Sequence, residues 1–62
     1  MNTEEKCRLD YEFGHVYASK WFSDEDEAVR IADLIYHFGG WACVLSGIYE
    51  YYPQSGWENM VY

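Results

Sequence analysis

Residues 7–13, CRLDYEF, alternate apolar and charged side chains without a break, which is the period of a half-buried strand. Gly14-His15 follows, a Gly-X pair suited to a two-residue turn, and residues 16–22, VYASKWF, return antiparallel. That register sets Phe13 beside Val16, Tyr11 beside Ala18, Leu9 beside Lys20 and Cys7 beside Phe22. One face of the predicted hairpin is apolar apart from Lys20, while the other carries Arg8, Asp10, Glu12, Tyr17, Ser19 and Trp21.

The period changes at residues 23–28, SDEDEA. Ser23 is a favoured N-cap type, and Asp24, Glu25, Asp26 and Glu27 then fill a first helical turn, where the positive end of the helix dipole favours carboxylates. Ala28, Val29, Ile31, Ala32, Leu34, Ile35, Tyr36 and Phe38 cover a broad arc, which predicts a deeply seated helix with Asp26, Arg30, Asp33 and His37 as its wet stripe. Four-residue spacing lets Asp26 reach Arg30 and Asp33 reach His37. Gly39-Gly40 supplies a left-handed stop. Residues 41–52 read as one strand with a bulge or a close backbone approach at Gly47, residues 53–56 as a turn, and residues 57–62 as a last short strand. The order β-β-α-β-β predicts an α+β fold: a four-stranded antiparallel sheet with one helix packed on one face.

Sixty-two residues fit one small domain, with residues 1–5 as its loose end, and a chain of that length buries only about 60% of the surface its unfolded form exposes. The core is therefore expected to be built from few, large side chains. Seven Tyr, three Trp and three Phe supply them, yet that many rings exceed what so small a core holds, so some Tyr and Trp are expected outside, where such residues serve docking. Two cysteines with no export signal are expected as reduced, buried small hydrophobes. The chain has no apolar leader and no run long enough for a membrane span, which predicts a soluble, cytoplasmic protein that does not engage membrane.

Charge changes the picture more than composition does. Eleven Asp and Glu against four Lys and Arg give a net charge of -7, which repels nucleic acid and anionic lipid and attracts basic surfaces. Stacking of single-stranded nucleic acid on the strand aromatics is disfavoured for the same reason, since such platforms sit beside Lys and Arg. Two Cys and two His match a zinc ligand count, but Cys7, His15, His37 and Cys43 lack the paired spacing that a metal site draws from one turn. Ser46-Gly47 has no nucleophile-elbow context, no phosphate-cradling Gly motif occurs, and Asp33 with His37 is most simply a surface pair. No enzyme activity, cofactor or metal is therefore expected.

SDEDEA remains as the most distinctive stretch. Capping accounts for much of it, but its charge density is phosphate-like: successive helical residues rise about 1.5 Å, and B-DNA carries one charge per roughly 1.7 Å of axis. The remaining carboxylates also outnumber the available cations, a self-repulsion that a cationic partner would relieve. These features predict a small acidic inhibitor that binds a basic, nucleic-acid-reading groove of a larger protein, through Asp24, Glu25, Asp26, Glu27, Asp10, Glu12 and Asp33, with Tyr17 and Trp21 as anchors. In size, charge and lack of catalytic apparatus the chain is similar to phage-encoded anti-restriction and anti-CRISPR proteins, a similarity of class that no motif carries. It implies action in a host-cell cytoplasm. The alternative is a non-enzymatic interaction or assembly module, including a homodimer, that uses an exposed aromatic sheet face.

Overall fold

The computed structural model describes residues 5–59. Most of the expected loose end and residues 60–62 of the predicted last strand lie outside them. The fold is α+β, with one helix and a five-stranded antiparallel sheet: β1 (Cys7–Phe13), β2 (Val16–Phe22), α1 (Glu25–His37), β3 (Trp41–Ser46), β4 (Tyr49–Tyr52) and β5 (Gly56–Asn59), in the spatial order β2-β1-β3-β4-β5. The β1–β2 register is the one the alternation predicts, from Phe13 opposite Val16 to Cys7 opposite Phe22. β3 then lies on the other side of β1, with Leu9 opposite Val44 and Asp10 opposite Cys43.

The predicted single strand over residues 41–52 is two strands. Gly47 is not a bulge but the first residue of a tight turn, with φ of 61°, and Ser46 pairs with Tyr49 across it. Gly14 has the same place and sign of φ in the first hairpin, so both turns put Gly first and an ordinary residue second, as type II′ hairpins require. The last connection differs: Ser55 N–H donates to Tyr52 C=O at 3.0 Å around Pro53, and Gly56 follows at positive φ, which sets β5 against β4.

Two details of α1 also depart from expectation. Its N-cap is Asp24 rather than Ser23: Asp24 is extended, and its Oδ1 accepts from Asp26 N–H at 3.0 Å, leaving Glu25, Asp26 and Glu27 in the first turn. At the other end Gly40 N–H donates to Ile35 C=O at 2.8 Å and Gly39 N–H to Tyr36 C=O at 3.0 Å, the two bonds of a Schellman stop. The helix is also less deeply seated than its apolar arc suggests. Ala28 and Ala32 are fully buried, but Leu34 is 53% and Phe38 68% exposed. At about 100° per residue, Leu34 is turned far from the stripe of Ala28, Ala32 and Ile35 that faces the sheet.

The core between the layers consists of Cys7, Leu9, Phe22, Ala28, Ala32, Ala42 and Val44, flanked by Tyr11, Val29, Ile31, Ile35 and Tyr51. Contrary to the expectation of few, large residues, the largest fully buried side chains are Leu9, Val44 and Cys7. Both cysteines are free and buried, Cys7 under the helix and Cys43 on the opposite face of the sheet.

Gly40 is where the layers meet most closely. A Cβ there would lie 2.7 Å from Ile35 Cγ2, 2.8 Å from Phe13 Cδ1 and 2.8 Å from the backbone oxygen of Glu12, which cannot swing aside. Gly40→Ala is expected to destabilise the fold by about 1–3 kcal/mol through overpacking, measured by urea or thermal unfolding. Gly47→Ala, which meets nothing within 4 Å, should lose stability through the strain of positive φ alone.

Candidate functional site

Strand direction divides the molecule into two ends. β1 and α1 both start at one end, and β2, β3 and β5 all finish there. That end gathers Glu5, the cap and first turn from Asp24 to Glu27, and, on the sheet face away from the helix, Glu50 and Glu58, which stand directly opposite each other. These are seven of the ten described carboxylates. Glu25 Oε2 accepts from the Ser46 hydroxyl at 2.7 Å, which ties the helix start to the end of β3. Burial, followed by the charges of Glu25 and Asp24, pushes the Cys7 thiol above its ordinary range, so the field of this end reaches the first residue of β1.

The residues predicted to form one binding surface do not share one. Asp24, Glu25, Asp26 and Glu27 are together and exposed, as expected. Asp10 is not available to a partner, being only 8% exposed. Its carboxylate accepts from Arg8 Nη2 at 3.1 Å and from the Ser19 hydroxyl at 2.8 Å, and Arg8 Nε lies 2.8 Å from Oδ1 but off the line of its N–H, an ionic contact rather than a hydrogen bond. Glu12 sits at the far end, between Tyr17 and Trp41, whose rings stack at 6.3 Å between centroids. Asp33 faces the other layer of the molecule, where its Oδ1 accepts from the Tyr51 hydroxyl at 2.7 Å rather than pairing with His37. Among the described residues the ion pair is Arg8–Asp10, so the expected Asp26–Arg30 contact is not made either.

Trp21 is 52% exposed and lies in the cross-strand row Trp21, Arg8, Leu45, Glu50, Glu58, with the Arg8 guanidinium 6.0 Å from its ring centre. This places one predicted anchor near the acidic end, while Tyr17 is at the other. Sequence reasoning missed Ile48 and Tyr49, which stand exposed at the acidic end on the β3–β4 turn. Their signal was Gly47, had it been read as a turn. It also left out Glu50 and Glu58, whose position depends on strand order.

A concavity of about 710 Å³ lies away from the carboxylate-rich end, lined by Asp33, Tyr36, His37, Gly39, Gly40, Tyr51 and Pro53. A smaller apolar groove of about 130 Å³ lies between Phe13 and the end of the helix. No group of three or more His, Cys, Asp or Glu that could hold a metal occurs among the described residues, and no helix among them is long and apolar enough to cross a membrane. Comparison with family models, with curated proteins and with solved structures finds no match for the chain.

Two tyrosines titrate far from the ordinary range. Tyr51 is pushed up to about 12, first by its hydrogen bond to Asp33 and then by burial. Tyr52 reaches about 12 through its hydrogen bond with Cys43 and burial, and its hydroxyl also donates to Glu50 at 3.3 Å. Because both values are raised in the folded state, the stabilisation they represent is complete below pH 10 and is lost as pH rises through about 12. In an absorbance titration at 295 nm, both phenols should ionise together with alkaline unfolding, and Tyr51→Phe should remove one of them from that transition.

Proposed function

We propose that the chain is a small acidic inhibitor, with no catalysis of its own, that occupies a basic nucleic-acid-binding groove of a larger protein and competes with DNA or RNA for it. The observation that carries this reading is the acidic end: seven of the ten described carboxylates lie there, and none of them is in an ion pair among the described residues. An excess of charge of one sign at one pole, here over the nearby Lys6 and Arg8, speeds encounter with a surface of the other sign. Trp21, Ile48 and Tyr49 supply apolar contacts at or near that end, which long-lived binding needs in addition to charge. The contact set therefore becomes the acidic end plus these three, without Asp10, Glu12, Asp33 or Tyr17. The likeness to phosphate is one of a cluster rather than a row, since Glu25 turns toward Ser46 while Asp26 and Glu27 point elsewhere around the helix. The place of action on this reading is the cytoplasm.

A second reading, an interaction or assembly module working through the aromatic sheet face, is favoured by the Tyr17–Trp41 stack and the uncovered Trp21. The triple variant Asp26→Lys, Glu27→Lys, Glu58→Lys separates the two, because it spares the cap residue Asp24 and the bonded Glu25. With basic nucleic-acid-binding proteins captured from the source cell on the immobilised chain, the variant should lose at least about tenfold in affinity, equivalent to about 1.4 kcal/mol. Rising salt and added duplex should both displace the captured protein. Capture that ignores salt, duplex and charge reversal alike would exclude the inhibitor and leave the sheet face.

A further inference from the structure

We infer that the outer edge of β2 pairs with the β2 edge of a second copy of this chain, joining two sheets into one ten-stranded sheet about a twofold axis at Ser19. This inference does not depend on what the acidic end binds.

Among the described residues β2 has one neighbour, β1, and its seven residues form an edge with no Pro and no bulge. The pair flanking a two-residue hairpin turn exchanges both of its hydrogen bonds, and the pattern then alternates along the strand. Val16, Ala18, Lys20 and Phe22 therefore direct their backbone groups at β1, and Tyr17, Ser19 and Trp21 direct theirs outward. The other hairpin agrees with this alternation: counted from the Ser46–Tyr49 pair, Cys43 and Leu45 turn their groups to β1, where they meet Asp10 and Arg8.

An edge becomes a dimer interface when its own sequence fits itself in reverse. Centred on Ser19, antiparallel self-pairing sets Tyr17 opposite Trp21 of the partner copy, Ser19 opposite its equivalent, and Trp21 opposite Tyr17. These three positions are the ones whose backbone groups face out. The same register places two Tyr–Trp pairs on the open sheet face, where both residues are now exposed, at 62% and 52%.

Charge selects this edge over the other. β2 carries no carboxylate, and its Lys20 lies over the Phe22 ring on the helix face, 5.6 Å from the ring centre, instead of guarding the edge. The described part of β5 is four residues long, and pairing it to itself about Glu58 would set Glu58 against Glu58 with each Glu50 beside them. Antiparallel β2 pairing has the opposite effect, since it sends the two acidic ends to opposite sides of the dimer. The net charge of -7 on each copy still opposes association, so added salt should strengthen this contact, the reverse of its effect on binding by the acidic end.

The test is sedimentation equilibrium with residue-resolved hydrogen exchange on the wild-type chain across a range of concentration and salt. The expected result is a mass rising from 7.4 kDa to about twice that value, more readily at high salt, with the amides of Tyr17, Ser19 and Trp21 slowed about tenfold or more while those of Ala18 and Lys20 change little. Tyr17→Pro, which removes an outward N–H but none that serves β1, should stay folded by circular dichroism and remain monomeric. A chain that stays monomeric at millimolar concentration in high salt, a dimer that leaves those three amides unprotected, or a folded Tyr17→Pro that still dimerises would each overturn the inference. If Tyr17→Pro fails to fold, the exchange pattern of the wild type decides.

Discussion

The helix rests on the sheet through Ala28 and Ala32, and the lack of side-chain bulk at those two positions sets the distance between the layers. Facing them are Cys7, Leu9, Ala42 and Val44, of which Leu9 is the one large side chain. Close approach is also enforced at the exit of the helix, where Gly40 lies against Glu12 and Phe13 with no room for a methyl group. The result is a slab only 17 Å thick in its shortest dimension. A thin slab leaves little interior, and most of the aromatic rings have nowhere to go but its surface.

Where those rings and the carboxylates settle follows from strand direction. Phe13, Val16, Tyr17, Leu34, Phe38 and Trp41 lie exposed toward the end where the helix finishes, and the majority of the carboxylates lie at the end where it starts. The helix dipole fits this arrangement, with anionic groups at its positive pole. The separation is not complete, since Trp21, Ile48 and Tyr49 stand exposed at or near the acidic end and Glu12 lies at the other.

The sequence made some of this legible and hid the rest for identifiable reasons. Strict alternation in residues 7–13 carried the first hairpin, its turn and every pair of its register. The same register already set Asp10 opposite Ser19 with Arg8 two residues away on the same face, so its burial could have been inferred; an isolated carboxylate was instead counted as exposed. Gly47 was ambiguous because positive φ serves a bulge and a hairpin turn equally, and the apolar Ile48 beside it made the segment look continuous. Ser23 and Asp24 are both good caps, and local pattern does not choose between them. The gathering of Glu50 and Glu58 at the end that holds the helix start was beyond reach, since it depends on which strands are neighbours and in what direction they run. Large side chains were assigned to the core on size alone, whereas the spacing between layers admitted small ones.

Cys7 and Cys43 are held on opposite faces of one sheet, and each is shut away by a different cover: the helix over Cys7, the Tyr52 ring and the Asp10 row beside Cys43. Burial raises both thiols above their ordinary range, so neither is a ready nucleophile while covered. A thiol reagent would therefore reach the first only where the helical layer is lifted, and the second only where the opposite face of the sheet is uncovered.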